Sequence, residues 1–180
     1  MLDQHSQPLS APASGIYRVD PQKSRVRYTG KHMLGLGTVH ATFSVREGEL
    51  RIGDDGQTLS TKVTVDAASF LSGSSKRDRD VRSRGLLDVE QYPDITFASE
   101  SIRRTPEGWL VPGTVTAHGH AVRIDVRVDR LTTDASELHV HGWARGLDRT
   151  AFGITGSRGL VGRHLDLEIE AVATLRSAPK

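Results

Sequence analysis

Residues 122–129 read VRIDVRVD, an unbroken alternation of apolar and charged side chains. Successive side chains of a β-strand point to opposite faces, so Val122, Ile124 and Val126 would share one face while the charged residues face water. A strand with one covered face is typical of antiparallel sheets. This stretch therefore predicts an all-β fold whose sheet covers an apolar interior.

The same period of two recurs on both sides of this stretch. It predicts eight strands, at residues 24–33, 39–45, 60–66, 95–99, 109–117, 122–128, 138–144 and 165–173. A turn is expected at residues 53–56, which read GDDG, and a Gly-rich loop is expected from Gly146 to Gly162. Between residues 69 and 92 the alternation stops and charged residues dominate, which predicts a short helix that caps the sheet.

Eight antiparallel strands connected mostly in sequence favour a closed up-and-down barrel, because closure leaves no unpaired strand edge. We expect this barrel, with its short helical insertion, to span residues 16–176 after a flexible tail at residues 1–15. The interior of a barrel of this size is either filled by side chains or holds one elongated ligand. Many of the predicted inward residues are Val, Ala or Gly, but the alternation alone does not decide between a cavity and a packed core.

The bulk composition argues against several classes of protein. Lys and Arg number 24 against 22 Asp and Glu, and the two signs are interspersed, so we expect no nucleic-acid partner. The absence of Cys excludes disulfides, thiolate nucleophiles and iron–sulfur clusters. The first fourteen residues do not resemble a secretory signal, and no stretch reaches the roughly 18 apolar residues of a membrane span. We therefore expect a soluble, cytoplasmic protein.

Two pairs of histidines are the candidates for a metal site. His118 and His120, like His139 and His141, are two residues apart, so each pair would project from one face of a strand. No Asp or Glu stands in a close metal-ligand pattern with either pair, and solvent-facing histidines are the simpler interpretation. The chain also lacks the GxSxG pattern of a serine nucleophile. We therefore predict no catalytic residue, no metal and no cofactor, and keep a metal-dependent enzyme as an alternative.

Short strings spread along the chain carry a family resemblance. In chain order they are residues 17–20 with Ser24, residues 37–43, residues 77–88, residues 92–97, residues 113–119, and Arg149 with residues 152–154. Their order and separations resemble the YceI-like family of polyisoprenoid-binding, lipocalin-like proteins, over residues 17–174. Within this pattern Leu86 and Leu87 stand where the family carries aromatic residues near the barrel mouth.

The resemblance implies a lipocalin-like barrel that binds an isoprenoid or fatty-acyl chain in its lumen and has no established catalytic group. The helix and the loop from Gly146 to Gly162 would gate the mouth. The residues predicted to contact the ligand are Tyr28, Phe43, Val63, Val65, Leu86, Leu87, Phe97, Val111, Val115, Val122, Ile124, Val126, Phe152, Leu165, Leu167 and Ile169. A filled barrel that acts as a protein-interaction module, or as a homodimer, stays open as a further alternative.

Overall fold

The computed structural model describes residues 12–55, 59–134, 136–157 and 159–176, and this part of the chain is built mainly of strands. The strands are β1 (Gly15–Val19), β2 (Arg25–His32), β3 (Gly37–Ile52), β4 (Leu59–Asp66), β5 (Asp94–Ser99), β6 (Arg103–Thr105), β7 (Gly108–Ala117), β8 (His120–Asp134), β9 (Glu137–Asp148) and β10 (Val161–Arg176). One α-helix, α1, spans Ser75–Arg82, and two short 3-10 turns span Ala67–Ser69 and Arg149–Phe152.

Eight of these strands close into an antiparallel barrel. Their order around the ring is β10, β2, β3, β4, β5, β7, β8 and β9, and the pairing of β9 with β10 closes it. These are the eight strands that the alternation predicts. The predicted eight-stranded antiparallel barrel with one short helix is therefore confirmed, and β8, which contains the VRIDVRVD stretch, runs between β7 and β9.

Two strands are not among the eight that the alternation predicts, and both are short. β6 is a three-residue strand that pairs only with β7. β1 pairs with the last part of β10 and the last part of β3, while β2 pairs with the remaining parts of the same two strands. β1 and β2 therefore share one position in the ring, and the side chain of Ser24 bridges the break by bonding the backbone N–H and C=O of Val172.

The helix is stabilised by docking and capping rather than by an apolar stripe. The Ser74 side chain accepts a hydrogen bond from the Arg77 N–H at the start of α1. Asp78 is buried, and its carboxylate accepts hydrogen bonds from the backbone N–H and the hydroxyl of Ser72. After the helix, Leu87 packs against a buried cluster that includes Phe70. These contacts hold α1 over one end of the barrel wall.

The prediction of a loop from Gly146 to Gly162 is wrong at both ends. β9 continues to Asp148, a 3-10 turn follows, and β10 begins at Val161. The physical reason is Arg149, which is buried and donates hydrogen bonds to the backbone carbonyls of Ile154, Val161 and Gly162. One side chain therefore organises a segment whose glycines suggested a flexible loop.

Two other predictions fall partly outside the described residues. Residues 1–11 of the predicted tail and Gly56 of the predicted turn are not among them. Within residues 12–15, Ala13 accepts a hydrogen bond from the hydroxyl of Tyr17, and Gly15 begins β1. The last residues before the barrel are therefore packed against it, and the exact domain boundary stays a prediction.

Candidate ligand-binding site

The barrel encloses an apolar cavity of about 230 Å³. Side chains from the strands of the ring line it, and Pro12 lies at one end. Among the lining residues, Thr61 and Thr96 carry hydroxyl groups and Trp109 carries an indole N–H, while the others are aliphatic residues, Phe or Pro. The cavity therefore offers van der Waals contact along its length and very few hydrogen bonds.

Ten of the sixteen predicted contact residues line this cavity. They are Phe43, Val63, Val65, Phe97, Val111, Val115, Ile124, Val126, Leu167 and Ile169. They come from β3, β4, β5, β7, β8 and β10, so the period of two assigned the inward face of each of these strands correctly. Contact between these side chains and a ligand stays a prediction.

The other six predicted residues lie elsewhere. Val122 and Phe152 belong to a packed cluster with Ala117, which also contains the cavity-lining residues Val115 and Ile124. Leu165 is half-buried and pairs with Gly30 of β2 and Leu147 of β9, and a β-bulge in β9 separates this pair from the next one, Leu167 with Ala144. These three residues are therefore not part of the lining of the cavity, and their contact with a ligand stays a prediction.

Tyr28, Leu86 and Leu87 lie under α1 rather than in the barrel cavity. Tyr28 and Leu86 line a second cavity of about 300 Å³ between the helix and β2, and Leu87 packs beside Phe70. Other apolar residues of the second cavity are Val39, Phe70, Val81, Leu160 and Val161, and its polar residues are Lys31, Ser74, Lys76, Arg77, Asp80 and Ser157. These three residues therefore lie beside the helix and outside the lining of the barrel cavity, and their contact with a ligand stays a prediction.

Three aromatic rings separate the two cavities. Phe43 lines the barrel cavity and Tyr28 lines the second one, and Phe70 makes an edge contact with each ring. The ring centroids of Phe70 and Phe43 are 5.3 Å apart, and those of Phe70 and Tyr28 are 5.8 Å apart. Because Phe70 is only 2% exposed, this partition is firmly packed.

Sequence reasoning missed part of the cavity wall. Trp109, Leu131, Leu138, Val140 and Ala171 line the cavity but were not among the predicted contacts. Val140 lies on the face of β9 that carries Leu138, and Ala171 follows Leu167 and Ile169 at the same period on β10. The alternation of apolar and polar residues therefore already indicated Val140 and Ala171, because it continues past the residues that were predicted to contact the ligand.

Inward side chains around the middle of the barrel are less buried than those near one end. Val63, Val65, Val126 and Ile169 line the cavity yet are only half-buried, whereas Leu138 is 0% exposed. An inward apolar side chain keeps exposed surface where it faces open space. The middle of the lumen is therefore hollow instead of packed to the density of a protein interior.

Gly113 on β7 shapes one wall of the lumen. A Cβ atom at this position would lie 2.4 Å from Cε2 of Phe97, which is far inside van der Waals contact. The Phe97 ring therefore occupies the space above the β7 backbone that a side chain at this position would take. Any larger residue at Gly113 would push this ring into the cavity.

The two histidine pairs lie outside the cavity. His118 is in the turn between β7 and β8 at a φ of 51°, and its ring stacks on that of His120 and contacts that of Tyr92 at a tilt of 50°. His139 is within 3.7 Å of Glu137 on the outer face of β9. Within the described ranges, no three His, Asp or Glu side chains are grouped to hold a metal ion.

His141 has acidic neighbours that the sequence spacing did not reveal. Its Nε2 lies 2.8 Å from Glu168 Oε1 and its Nδ1 lies 2.5 Å from Asp129 Oδ1. Hydrogen bonds to these carboxylates, Glu168 first, raise the pKa of His141, and the same contact lowers the pKa of Glu168. Sequence spacing does not reveal these neighbours, because strand pairing is what brings β8 and β10 against β9.

A family model and curated relatives match this chain. A model of the YceI-like domain matches residues 17–173. A UPF0312 protein of Pseudomonas putida strain F1 is 33% identical over 108 residues, which are 57% of this chain and 55% of that protein. A UPF0312 protein of Pseudomonas syringae pv. tomato is 28% identical over 145 residues, 76% of this chain and 73% of that protein. The match thus spans only about half the length of the P. putida relative.

Solved structures share the fold. Burkholderia cenocepacia BcnA superposes with a TM-score of 0.74 at 25% identity, over 87% of this chain and 99% of that one. A polyisoprenoid binding domain from Saccharophagus degradans, implicated in plant cell wall breakdown, gives a TM-score of 0.65 at 13% identity, over 89% and 98%. Within the described residues, no helix is long and apolar enough to cross a membrane.

Proposed function

This chain belongs to the YceI-like domain family, and from that premise we propose that its barrel binds the apolar chain of a polyisoprenoid or fatty-acyl lipid. The observation that carries the proposal is the apolar cavity of about 230 Å³ inside the barrel. The printed description of the Saccharophagus degradans domain, a polyisoprenoid binding domain of the same fold, supports this ligand class.

The cavity has a size and lining that suit a hydrocarbon chain. A dry apolar cavity of about 150 Å³ is enough to bind benzene, and sites for larger organic ligands begin at about 300 Å³. The present cavity lies between these values, so it holds a segment of a long chain. Each methylene moved from water into it contributes about 0.8 kcal/mol, so a segment of roughly ten carbons is enough for tight binding.

We infer a role in carriage, storage or sequestration rather than catalysis. Among the described residues that line the cavity, no side chain is an acid, a base or a nucleophile with a partner base. The two threonines offer hydroxyl groups without such a partner. The lining therefore supports selection by chain shape and hydrophobicity, with the polar end of the lipid outside the lumen.

The alternatives make different predictions. A metal-dependent enzyme built on the histidine pairs requires a stoichiometric metal, which elemental analysis of the purified protein would detect. A filled barrel that acts as an interaction module, alone or as a homodimer, would yield no lipid on extraction. The cytoplasmic location stays a prediction of the sequence, and cell fractionation tests it.

Native mass spectrometry of the gently purified protein, followed by organic extraction, tests the proposal. We expect a bound species of discrete mass that the extract identifies as a polyprenyl or acyl lipid. Protein that is observed bare should then take up an added polyprenol or long-chain fatty acid at a ratio near unity. A bare polypeptide that takes up neither lipid would contradict the proposal.

A further inference from the structure

Four large apolar side chains project into solvent at one end of the barrel. Leu34 and Leu36 are each 87% exposed, Leu160 is 64% exposed and Met33 is 55% exposed. Met33, Leu34 and Leu36 lie in the β2–β3 connection, and Leu160 precedes β10. We call these four residues the apolar tip. Exposed apolar side chains that cluster in this way mark an interaction surface, whereas isolated ones do not.

Backbone hydrogen bonds hold the apolar tip in one shape. The Met33 N–H donates to the Leu160 carbonyl and the Leu34 N–H donates to the Gly159 carbonyl, each at 3.0 Å. Leu34 Cδ2 would lie 3.6 Å from a Cβ atom at Gly159, so this side chain lies close over the second loop. The two loops therefore present one joint apolar surface.

The backbone of the tip is unfavourable for the residues it carries. Met33 has a φ of 50° and Leu34 a φ of 56°, a left-handed conformation that favours Gly or Asn. Neither residue belongs to a buried apolar cluster of the described chain, so folding gains little from these side chains. Large apolar groups at such positions are better explained by a partner that covers them.

Basic side chains lie beside Leu160 of the apolar tip. Lys31, Lys76 and Arg77 line the second cavity together with Leu160 and a single acid, Asp80. Lys31 donates to the Thr38 hydroxyl, Arg77 donates to Ser72, and Lys76 pairs with Asp80. Residues 31–38 and 159–164 contain no Asp or Glu, and Arg163 in the second segment pairs with Asp148 on β9. The surface around the tip therefore has an excess of positive charge.

We propose that the apolar tip docks this protein on the surface of an anionic phospholipid bilayer. The leucines enter the boundary between headgroups and acyl chains, and the cations of the second cavity face the headgroup phosphates. Charge complementarity selects a bilayer over a second copy of the chain, whose tip would carry the same positive charge. The inference concerns the outer surface and goes beyond the proposed function, since a barrel can hold a lipid without docking on a bilayer.

Vesicle flotation tests the docking surface directly. The full chain is mixed with vesicles of phosphatidylcholine alone or of phosphatidylcholine and phosphatidylglycerol in equal parts. We expect the protein to float with the anionic vesicles and to dissociate at high salt. The variant with both Leu34→Ser and Leu36→Ser should bind them about tenfold or more weakly, because two side chains lose their apolar burial.

The matched control is Leu71→Ser. Leu71 is 58% exposed and bridges to Thr42 on β3, away from the tip, so its change should alter vesicle binding by less than about twofold. The charge-reversal variant with Lys31→Glu and Lys76→Glu should lose binding to anionic vesicles. Thermal unfolding checks that each variant is folded, which we expect because the substituted side chains are exposed.

Three results would overturn the proposal. The first is that the wild-type protein does not float with anionic vesicles, and the second is that Leu71→Ser weakens binding as much as the tip variant does. The third is that the tip variant converts a dimer to a monomer and leaves vesicle binding unchanged, which would assign the tip to a second copy. Uptake of a detergent-dispersed fatty acid by the tip variant is measured in parallel, and this uptake reports on the lumen alone.

Discussion

Ala171 and Ala173 on β10 offer a matched test of whether the lumen is hollow. Their side chains point to the same face of the strand, two residues apart. Ala171 lines the barrel cavity, whereas Ala173 is 1% exposed and belongs to the packed cluster that contains Tyr17 and Leu138. The same substitution to Phe should therefore have opposite consequences at the two positions.

Ala171→Phe places a phenyl ring in open space. We expect the free energy of unfolding to change by less than about 1 kcal/mol, because the ring fills a void and displaces no packed side chain. The ring takes the room of about six ligand carbons, so binding should lose about 5 kcal/mol, or more than a thousandfold in Kd. Ala173→Phe should instead lower the free energy of unfolding by about 1–3 kcal/mol through overpacking.

Urea unfolding followed by circular dichroism measures the stability of both variants, and displacement of a fluorescent fatty acid measures binding. Equal destabilisation by the two substitutions would show that the lumen is packed and would refute the hollow barrel. If Ala171→Phe is stable and binds the fatty acid with unchanged affinity, the barrel is hollow but the ligand binds elsewhere.

Three further predictions follow from buried and paired groups. The neighbouring carboxylates raise the pKa of His141 above 6.5, so their contribution to stability, about 1 kcal/mol or less, is complete below pH 6.5 and is lost as the pH rises through the raised pKa. His141→Gln should remove this loss of stability in urea midpoints measured from pH 6 to about pH 9. Arg149→Lys should lower the free energy of unfolding by about 2–4 kcal/mol, since a lysine cannot serve three carbonyls, whereas Arg163→Lys should cost far less because that side chain is exposed. Equal losses would contradict the role of Arg149. Phe70→Ala should lower the free energy of unfolding by about 3–5 kcal/mol and join the two cavities. Longer fatty acids should then gain affinity over shorter ones in calorimetric titrations, and an unchanged preference for chain length would contradict the partition.

The barrel was predictable from the sequence because one physical pattern repeats along it. The alternation at residues 122–128 assigned Ile124 and Val126 to the lumen, and the same rule located the other seven strands of the ring. It did not find β1, since five residues carry too little alternation to be separated from the start of β2. The inward faces were therefore predictable over the middle of each long strand.

The ends of the barrel and the contacts between strands were not predictable in this way. A bulge between Ala144 and Leu147 breaks the period of two in β9, and the burial of Arg149 is visible only once β9 and β10 are paired. Asp129 and Glu168 are distant from His141 in sequence and meet it only across the sheet. Such contacts depend on register, which a single sequence pattern does not give.

The two tryptophans of the chain allow the central claim to be tested by fluorescence. Trp109 lines the barrel cavity, whereas Trp143 lies on the outer face of β9 with the guanidinium groups of Arg127 and Arg145 over its ring. A fatty acid brominated along its chain, which quenches an indole only at close range, is titrated into Trp143→Phe and into Trp109→Phe. The account predicts saturable quenching of Trp109 in the first variant and an unchanged signal from Trp143 in the second. Equal quenching of both tryptophans, or quenching of Trp143 alone, would contradict binding in the lumen.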